Sequence, residues 1–425
     1  MLHFSTHLNR VLSLISFRTL IMLCNAVLNL ILLRVIVETL GAKEAGIYFV
    51  LLAVGQIVSS LDLGLSYRAA IVLGSMTTEF LILMFLRKVV AKVIKAQLII
   101  SILSLGVMPF LNLILFGKFG YYNASVYLVV SMTSCFLSVF SVFSQALIVR
   151  AELHRLLAMD FWRGICTFVL SVLFISHSKS IFALILAWAL ANILPSLILI
   201  HRYFPNLFTS KAENLFPLPI FPFLTKEGLH NQFTVVGGVL NNATDQVILS
   251  AILGPSFVTS YQILTRALIF LKAILGIIWL QLWPLLTFEN QNIRKRKEAR
   301  LLICIAISVG LFFSVTYSLF GDWFVRALFS QSSQLPFTLY LAVGVFGLIL
   351  ALEIVVSAGS MDLRFQRIKQ WLVFASGLTN LVLSTFLVTI FGISGCIISS
   401  IITMSILYIF PLGYLRRDFW KSINN

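Results

Sequence analysis

Leu40-Gly41-Ala42-Lys43-Glu44-Ala45-Gly46-Ile47-Tyr48 has a counterpart 213 positions on, in Leu253-Gly254-Pro255-Ser256-Phe257-Val258-Thr259-Ser260-Tyr261. The Leu-Gly pair and the tyrosine keep identical spacing in both stretches. The same offset carries Leu115-Phe116 onto Leu328-Phe329, and it overlays twelve apolar segments in order. A matched dipeptide is weak evidence; a constant offset across the whole chain is stronger. The twelve segments are about 17–39, 45–73, 93–116, 123–149, 156–176, 180–201, 229–253, 257–286, 301–320, 337–360, 370–390 and 393–414. Each is close to the roughly 20 apolar residues that cross ~30 Å of hydrocarbon as a helix.

Composition agrees. The 425 residues are 60% hydrophobic and 11% charged, and the mean hydropathy is +1.01. Soluble domains carry about 25% charged residues, so this chain lacks the polar skin a soluble enzyme needs. Helices fit better than a β-barrel, because runs this long lack strand alternation. Pro109, Pro195, Pro284 and Pro411 mark candidate kinks. No cleavable signal peptide is expected. The five cysteines fall inside apolar runs with no CxxC pair and read as core residues. The six histidines lack metal-ligand spacing.

The formal net charge is +16. Of the 31 Lys and Arg, 23 fall in alternate loops and termini, from Arg10 and Arg18 through Arg294–Arg300 to Lys421; the opposite set holds Lys43, Lys118, Lys179 and Arg326. By the positive-inside rule both termini are cytoplasmic, and nucleic-acid binding is not required to explain the charge. The run Arg294–Arg300 reads as an orientation signal, with anionic-lipid contact as the alternative. Six spans per half leave both halves in the same orientation, as in parallel-repeat transporters with the substrate path between repeats. The expected fold is an all-α polytopic membrane protein: twelve transmembrane helices as two parallel six-helix repeats around a central cavity. Residues 1–203 form the N-terminal lobe, 204–228 a cytoplasmic linker with Pro205, Pro217, Pro219 and Pro222, and 229–425 the C-terminal lobe.

Four cations lie inside spans: Arg34, Arg68, Arg266 and Lys272. A charge at bilayer depth costs at least ~2.5–3.5 kcal/mol, so it faces protein or a wet cavity. Helical spacing puts Tyr48, Gly55, Ser59, Asp62 and Ser66 on one stripe of span 2. Tyr261, Thr265 and Lys272 share a stripe of span 8, and Arg266 lies about 120° away from it. Span 7 carries Thr234, Gly238, Asn241 and Asp245. These stripes line a hydrated cavity between spans 1, 2, 7 and 8, or they pair off as interhelical contacts. Arg34 and Glu38 sit at i, i+4 and suit a mutual ion pair equally well. Arg68 lies where it can also snorkel to the interface. Asp245 is the candidate ion-coupling residue; the alternative is a structural pairing with Asn241 or with a cation on span 1 or 8. Glu353, alone in span 10, reads as structural.

Two stretches resemble a known family. One is Leu40-Gly41 through Tyr48 with Ser60-Leu61-Asp62-Leu63-Gly64 and Arg68; the other is Asp245 through Gly254 with Tyr261, Arg266 and Trp283-Pro284. They resemble the O-antigen and polysaccharide repeat-unit flippases of the multidrug/oligosaccharidyl-lipid/polysaccharide (MOP) exporter superfamily. The resemblance implies a bacterial inner-membrane transporter that moves an undecaprenyl-diphosphate-linked oligosaccharide from the cytoplasmic to the periplasmic leaflet. It implies that Arg34, Arg68, Arg266 and Lys272 meet the anionic head group, with Tyr48, Ser59, Asp62, Asn241, Tyr261 and Thr265 as polar lining. It further implies polysaccharide polymerase and chain-length machinery as partners. No cofactor is expected; a proton or Na⁺ gradient fits better than ATP, because no nucleotide-binding loop is present. The alternatives are an ion-coupled drug exporter of the same superfamily and a polytopic polysaccharide polymerase. The polymerase needs an outer catalytic loop, yet the longest outer connection, about Gly321–Pro336, holds Asp322 alone as its acid.

Overall fold

The computed structural model describes residues 2–60, 124–149, 153–203, 226–287, 293–329, 335–357 and 363–415, with positions 90, 94, 99 and 102. These residues are helical apart from short turns. The second half of span 2 with Asp62 and Arg68, nearly all of span 3 and the linker 204–225 lie outside the described residues.

Among the described residues the expected spans recur as helices. Span 4 is Ala124–Val149, span 5 Leu153–Ser178, span 6 Ile181–Tyr203 and span 7 Lys226–Ile252. Span 9 is Ile293–Leu328, span 10 Phe337–Ser357 and span 11 Leu363–Phe391. Span 8 is broken into Pro255–Thr265 and Ala267–Thr287, and span 12 into Ile393–Thr403, a π-helix Met404–Ile409 and Phe410–Leu415. Span 1 and the start of span 2 run together as Leu2–Ser60, 59 residues. Straight, that helix would exceed the bilayer about threefold. It turns instead at Gly41 (φ 80, ψ 165). Among the described residues eight helices are long and apolar enough to cross a membrane, or nine when the two halves of span 8 count as one. Span 7 is not among them, because Asn241, Asn242, Thr244, Asp245 and Gln246 interrupt its apolar run.

The backbone repeats with the sequence. Four described residues have positive φ: Gly41 (80°), Lys179 (44°), Gly254 (105°) and Gly392 (60°). They fall into two pairs, Gly41 with Gly254 and Lys179 with Gly392, each separated by the 213-residue offset. The same tight reversals thus close spans 1–2 and 7–8, and again spans 5–6 and 11–12.

The chain divides into two compact units. One comprises Val27–Val239 with Gly254–Ser256; the other comprises Met1–Ala26, Leu240–Leu253 and Phe257–Asn425. In the first, Ser134 Oγ donates to the Gly55 carbonyl (3.0 Å) and Ser138 Oγ to the Ser59 carbonyl (2.7 Å). These bonds fasten span 4 to span 2, and Gly55 has no side chain to hold them apart. In the second unit, spans 9 and 10 pack through small residues, with Gly310 against Ala351 and Gly344 against Ser314 and Ser318. Phe312, Trp323 and Phe410 are each at least 70% exposed there, as lipid-facing side chains are.

Two expectations change. Span 9 continues as helix to Leu328, so the connection to span 10 is shorter than Gly321–Pro336. Asp322 is also not isolated: Arg326 pairs with it at 2.8 Å and the Tyr340 hydroxyl donates to it at 3.3 Å. Among the proline sites, span 6 runs unbroken through Pro195, while Pro411 follows the π-helix Met404–Ile409. Proline lacks an N–H, and the widened turn before it is closed by Phe410 N–H on the Ser405 carbonyl.

A Cβ at Gly46 would collide with the Pro255 carbonyl, whereas one at Gly238 meets nothing within 4 Å. Gly46→Ala is therefore expected to destabilise the protein by about 1–3 kcal/mol through overpacking. Gly238→Ala should be neutral or slightly stabilising, because alanine is the better helix former. Thermal unfolding of the two variants in one detergent checks the contrast.

Candidate functional site

Span 8 provides the frame of the site. Its two helices meet at Arg266 with a bend of 43°. The helical bond persists from Arg266 N–H to the Gln262 carbonyl (3.1 Å), while Ile269 N–H bonds the Arg266 carbonyl three residues back (3.0 Å). Thr265 Oγ1 donates back to the Tyr261 carbonyl at 2.8 Å, a contact that bends helices. Helical spacing sets Arg266 and Lys272 about 120° apart. Both line one cavity of about 140 Å³, together with Asn241, Gln246, Tyr261 and Thr265.

Span 7 gives the cavity its polar wall. Asn242 Oδ1 accepts from Lys272 Nζ at 3.2 Å. Asn241 Oδ1 is buried with no hydrogen-bond partner among the described residues, which marks a place for water or a ligand donor. Lys272 also lies within electrostatic reach of Glu353 of span 10, and Glu353 in turn of Lys369. Glu353, expected to be structural, therefore sits beside a cavity cation.

Asp245 turns away from this cavity into the core of its unit, where it is 1% exposed. Its partners are neither Asn241 nor a cation. Tyr261 OH (3.0 Å) and Ser400 Oγ (3.4 Å) donate to Oδ2, and Ser384 Oγ (3.1 Å) and Asn380 Nδ2 (3.5 Å) to Oδ1. Ser399 Oγ donates to Asn380 Oδ1 at 2.8 Å. The expected polar stripe of span 7 is thus split, with Asn241 toward the cavity and Asp245 toward spans 11 and 12. Tyr261 belongs to both surroundings, since it lines the cavity and its hydroxyl donates to the Asp245 carboxylate.

The residues of the other unit behave differently. Arg34 Nε meets Glu38 Oε1 at 2.8 Å with both side chains 41–48% exposed, the mutual pair that their spacing allowed. Tyr48 is 2% exposed and its ring meets that of Phe49 edge-on. Ser59 Oγ donates to the Gln56 carbonyl at 3.0 Å, and its own carbonyl is held by Ser138.

Sequence reasoning missed Asn380, Ser384, Ser399 and Ser400. The signal was available, because Ser376, Asn380 and Ser384 recur every four residues in an apolar span, and all three are at most 1% exposed. Among the described residues no three His, Cys, Asp or Glu side chains converge on a metal-sized centre.

The fold is similar to that of solved transporters, among them members of the MOP superfamily. A multidrug-resistance MATE-family transporter of that superfamily, inward-facing, superposes with a TM-score of 0.69 at 15% identity, over 96% of this chain and 99% of its own. The lipid II flippase MurJ, in an inward closed conformation, gives 0.73 at 15% identity, over 94% and 87%. The MATE multidrug transporter DinF-BH gives 0.70 at 15% identity, over 96% and 95%. No protein-family model and no curated protein matches the chain. At this identity the likeness establishes the fold.

Proposed function

We propose that the protein is a membrane transporter that flips an undecaprenyl-diphosphate-linked oligosaccharide, an O-antigen or other polysaccharide repeat unit, from the cytoplasmic to the outer leaflet of a bacterial inner membrane. The observation that carries this reading is the single cavity shared by Arg266 and Lys272. A diphosphate cannot cross hydrocarbon unaided. Arg266 offers a planar fork for phosphate oxygens and Lys272 a point charge. Asn241, Asn242, Gln246 and Gln262 surround them with amides suited to sugar hydroxyls. The lipid tail stays in the bilayer while the head passes. An inside-negative potential favours outward movement of an anion by ~2.3 kcal/mol per charge per 100 mV.

The cycle is one of alternating access. Asp245 is its coupling group: a carboxylate ringed by Asn380, Ser384 and Ser400 offers hard oxygen ligands to Na⁺ or an acceptor to a proton. Ion occupancy there would bias one state over the other. Tyr261 carries the change to the cavity wall. Polysaccharide polymerase and chain-length machinery would take the product onward.

The second reading is a drug exporter, favoured by the MATE-family likeness. Two cations on the cavity wall repel a cationic drug. Vesicles containing the purified protein separate the two. Flipping of an undecaprenyl-diphosphate-linked oligosaccharide without gradient-driven movement of a cationic rhodamine dye is expected; the reverse result assigns the protein to drug export. For orientation, cysteines placed at Lys179 and Arg326 should label from outside the cell and those at Arg202 and Glu298 only after permeabilisation.

A further inference from the structure

Helix Ala267–Thr287 carries two unlike faces. Leu268, Ile269 and Lys272 turn to the cationic cavity. Ala267, Phe270, Leu271 and Ile274, from the same turns, turn to a second cavity of about 320 Å³ whose other wall is span 9. The second cavity is apolar. The Tyr317 hydroxyl at its edge is already committed to the Leu264 carbonyl at 2.7 Å, so the walls offer hydrocarbon and ring faces. Phe312 is 73% exposed, Trp323 70% and Phe320 59%, which leaves the groove open at the lipid surface. Protein interiors close-pack to voids scarcely larger than a water molecule. A space this size between rings is shaped for a chain.

We propose that this groove holds the isoprenoid tail of the lipid-linked anion whose diphosphate meets Arg266 and Lys272, an inference that rests on the function proposed above. In a polyprenyl diphosphate the tail begins at the phosphate itself. The two cavities are lined by different residues of the same stretch, 267–274, of one helix, so they lie at one depth and about one helix width, 10–12 Å, apart. A tail that remains in the bilayer while its head enters the cavity must leave beside a span that lines the cavity. Span 8 combines a cationic inner face with an apolar groove open to lipid. Flat rings suit the methyl-branched, unsaturated chain, which loses less freedom on binding than a saturated acyl chain does. Because the bilayer is itself apolar, the groove contributes packing rather than hydrophobic transfer, and the gain is one of selectivity between tails.

The test uses the full-length protein in nanodiscs and two probes with the same head, undecaprenyl diphosphate and geranyl diphosphate. Wild-type protein should prefer the longer tail. Thr316→Trp fills the groove from span 9; it should reduce that preference about tenfold and leave geranyl diphosphate binding unchanged. Phe320→Ala removes a wall instead of filling the space and should reduce the same preference, so the test survives misfolding of either variant. Lys272→Met should weaken both probes equally. If both groove variants retain the wild-type ratio, bulk acyl chains fill the groove and the proposal is overturned. If Lys272→Met leaves both probes unaffected, the anion reading fails, whatever the groove variants do.

Discussion

Lys272→Met is expected to lower flipping of the lipid-linked diphosphate by about ten- to a hundredfold while expression and thermal stability stay near wild type. The estimate follows from losing one charge-assisted contact, about 1.5–3 kcal/mol, at about 1.4 kcal/mol per tenfold. Methionine keeps most of the stem volume, so packing is preserved. The Lys272 amine touches Asn242 Oδ1, on the cavity side, and its loss lets that amide bond water instead. Arg266→Gln should have a comparable effect, and Arg266→Lys an intermediate one if the planar fork matters beyond charge. Arg34→Gln should have little effect, because an exposed i, i+4 pair with Glu38 contributes only about 0.3–0.5 kcal/mol. Flipping measured in vesicles at matched protein content checks the series, and equal activity of Lys272→Met and wild type would remove Lys272 from the path.

Asp245→Asn is expected to abolish the dependence of flipping on an imposed pH or Na⁺ gradient while leaving substrate binding intact. The variant keeps the shape but loses the charge, and it turns one acceptor into a donor facing two of the present donors. A stability loss of about 1–3 kcal/mol accompanies that mismatch. Ser384→Ala removes one donor to the carboxylate without removing the charge, so it should cost stability yet retain gradient dependence. Tyr261→Phe removes the hydroxyl that donates to Asp245 from a residue that lines the cavity. It should flip with weakened coupling. If Asp245→Asn keeps full gradient dependence, Asp245 is not the coupling residue.

Much of the fold was legible in the sequence because apolar runs at bilayer length have few alternatives. The 213-residue offset seen in Leu40-Gly41 and Leu253-Gly254 reappears in the backbone as paired positive-φ residues. The second pair, Lys179 and Gly392, could not be read from residue type, since a lysine stands where its counterpart is glycine. The cavity residues of span 8 were legible as a stripe, but Arg266 was not. It lies about 120° off that stripe by helical spacing, and only the packed structure shows one cavity wide enough to take in both. Asp245 was legible as a buried acid, while its partners Asn380, Ser384 and Ser400 lie 135–155 residues away. Only tertiary packing brings them together. Tyr48 matches Tyr261 in sequence, and both are buried in their own units, at 2% and 8% exposure; residue type does not say what each touches.

The proposed function requires that the cavity lined by Arg266 and Lys272 receive an anionic lipid head. Its most direct test is the binding of undecaprenyl diphosphate and of undecaprenol, which has the same tail but no charge, to wild-type protein and to the Arg266→Gln/Lys272→Met double variant in nanodiscs. Strong preference of the wild type for the diphosphate, lost in the double variant while undecaprenol binding is unchanged, is the predicted result. Equal binding of both lipids by the wild type, or undiminished preference in the double variant, would contradict the account.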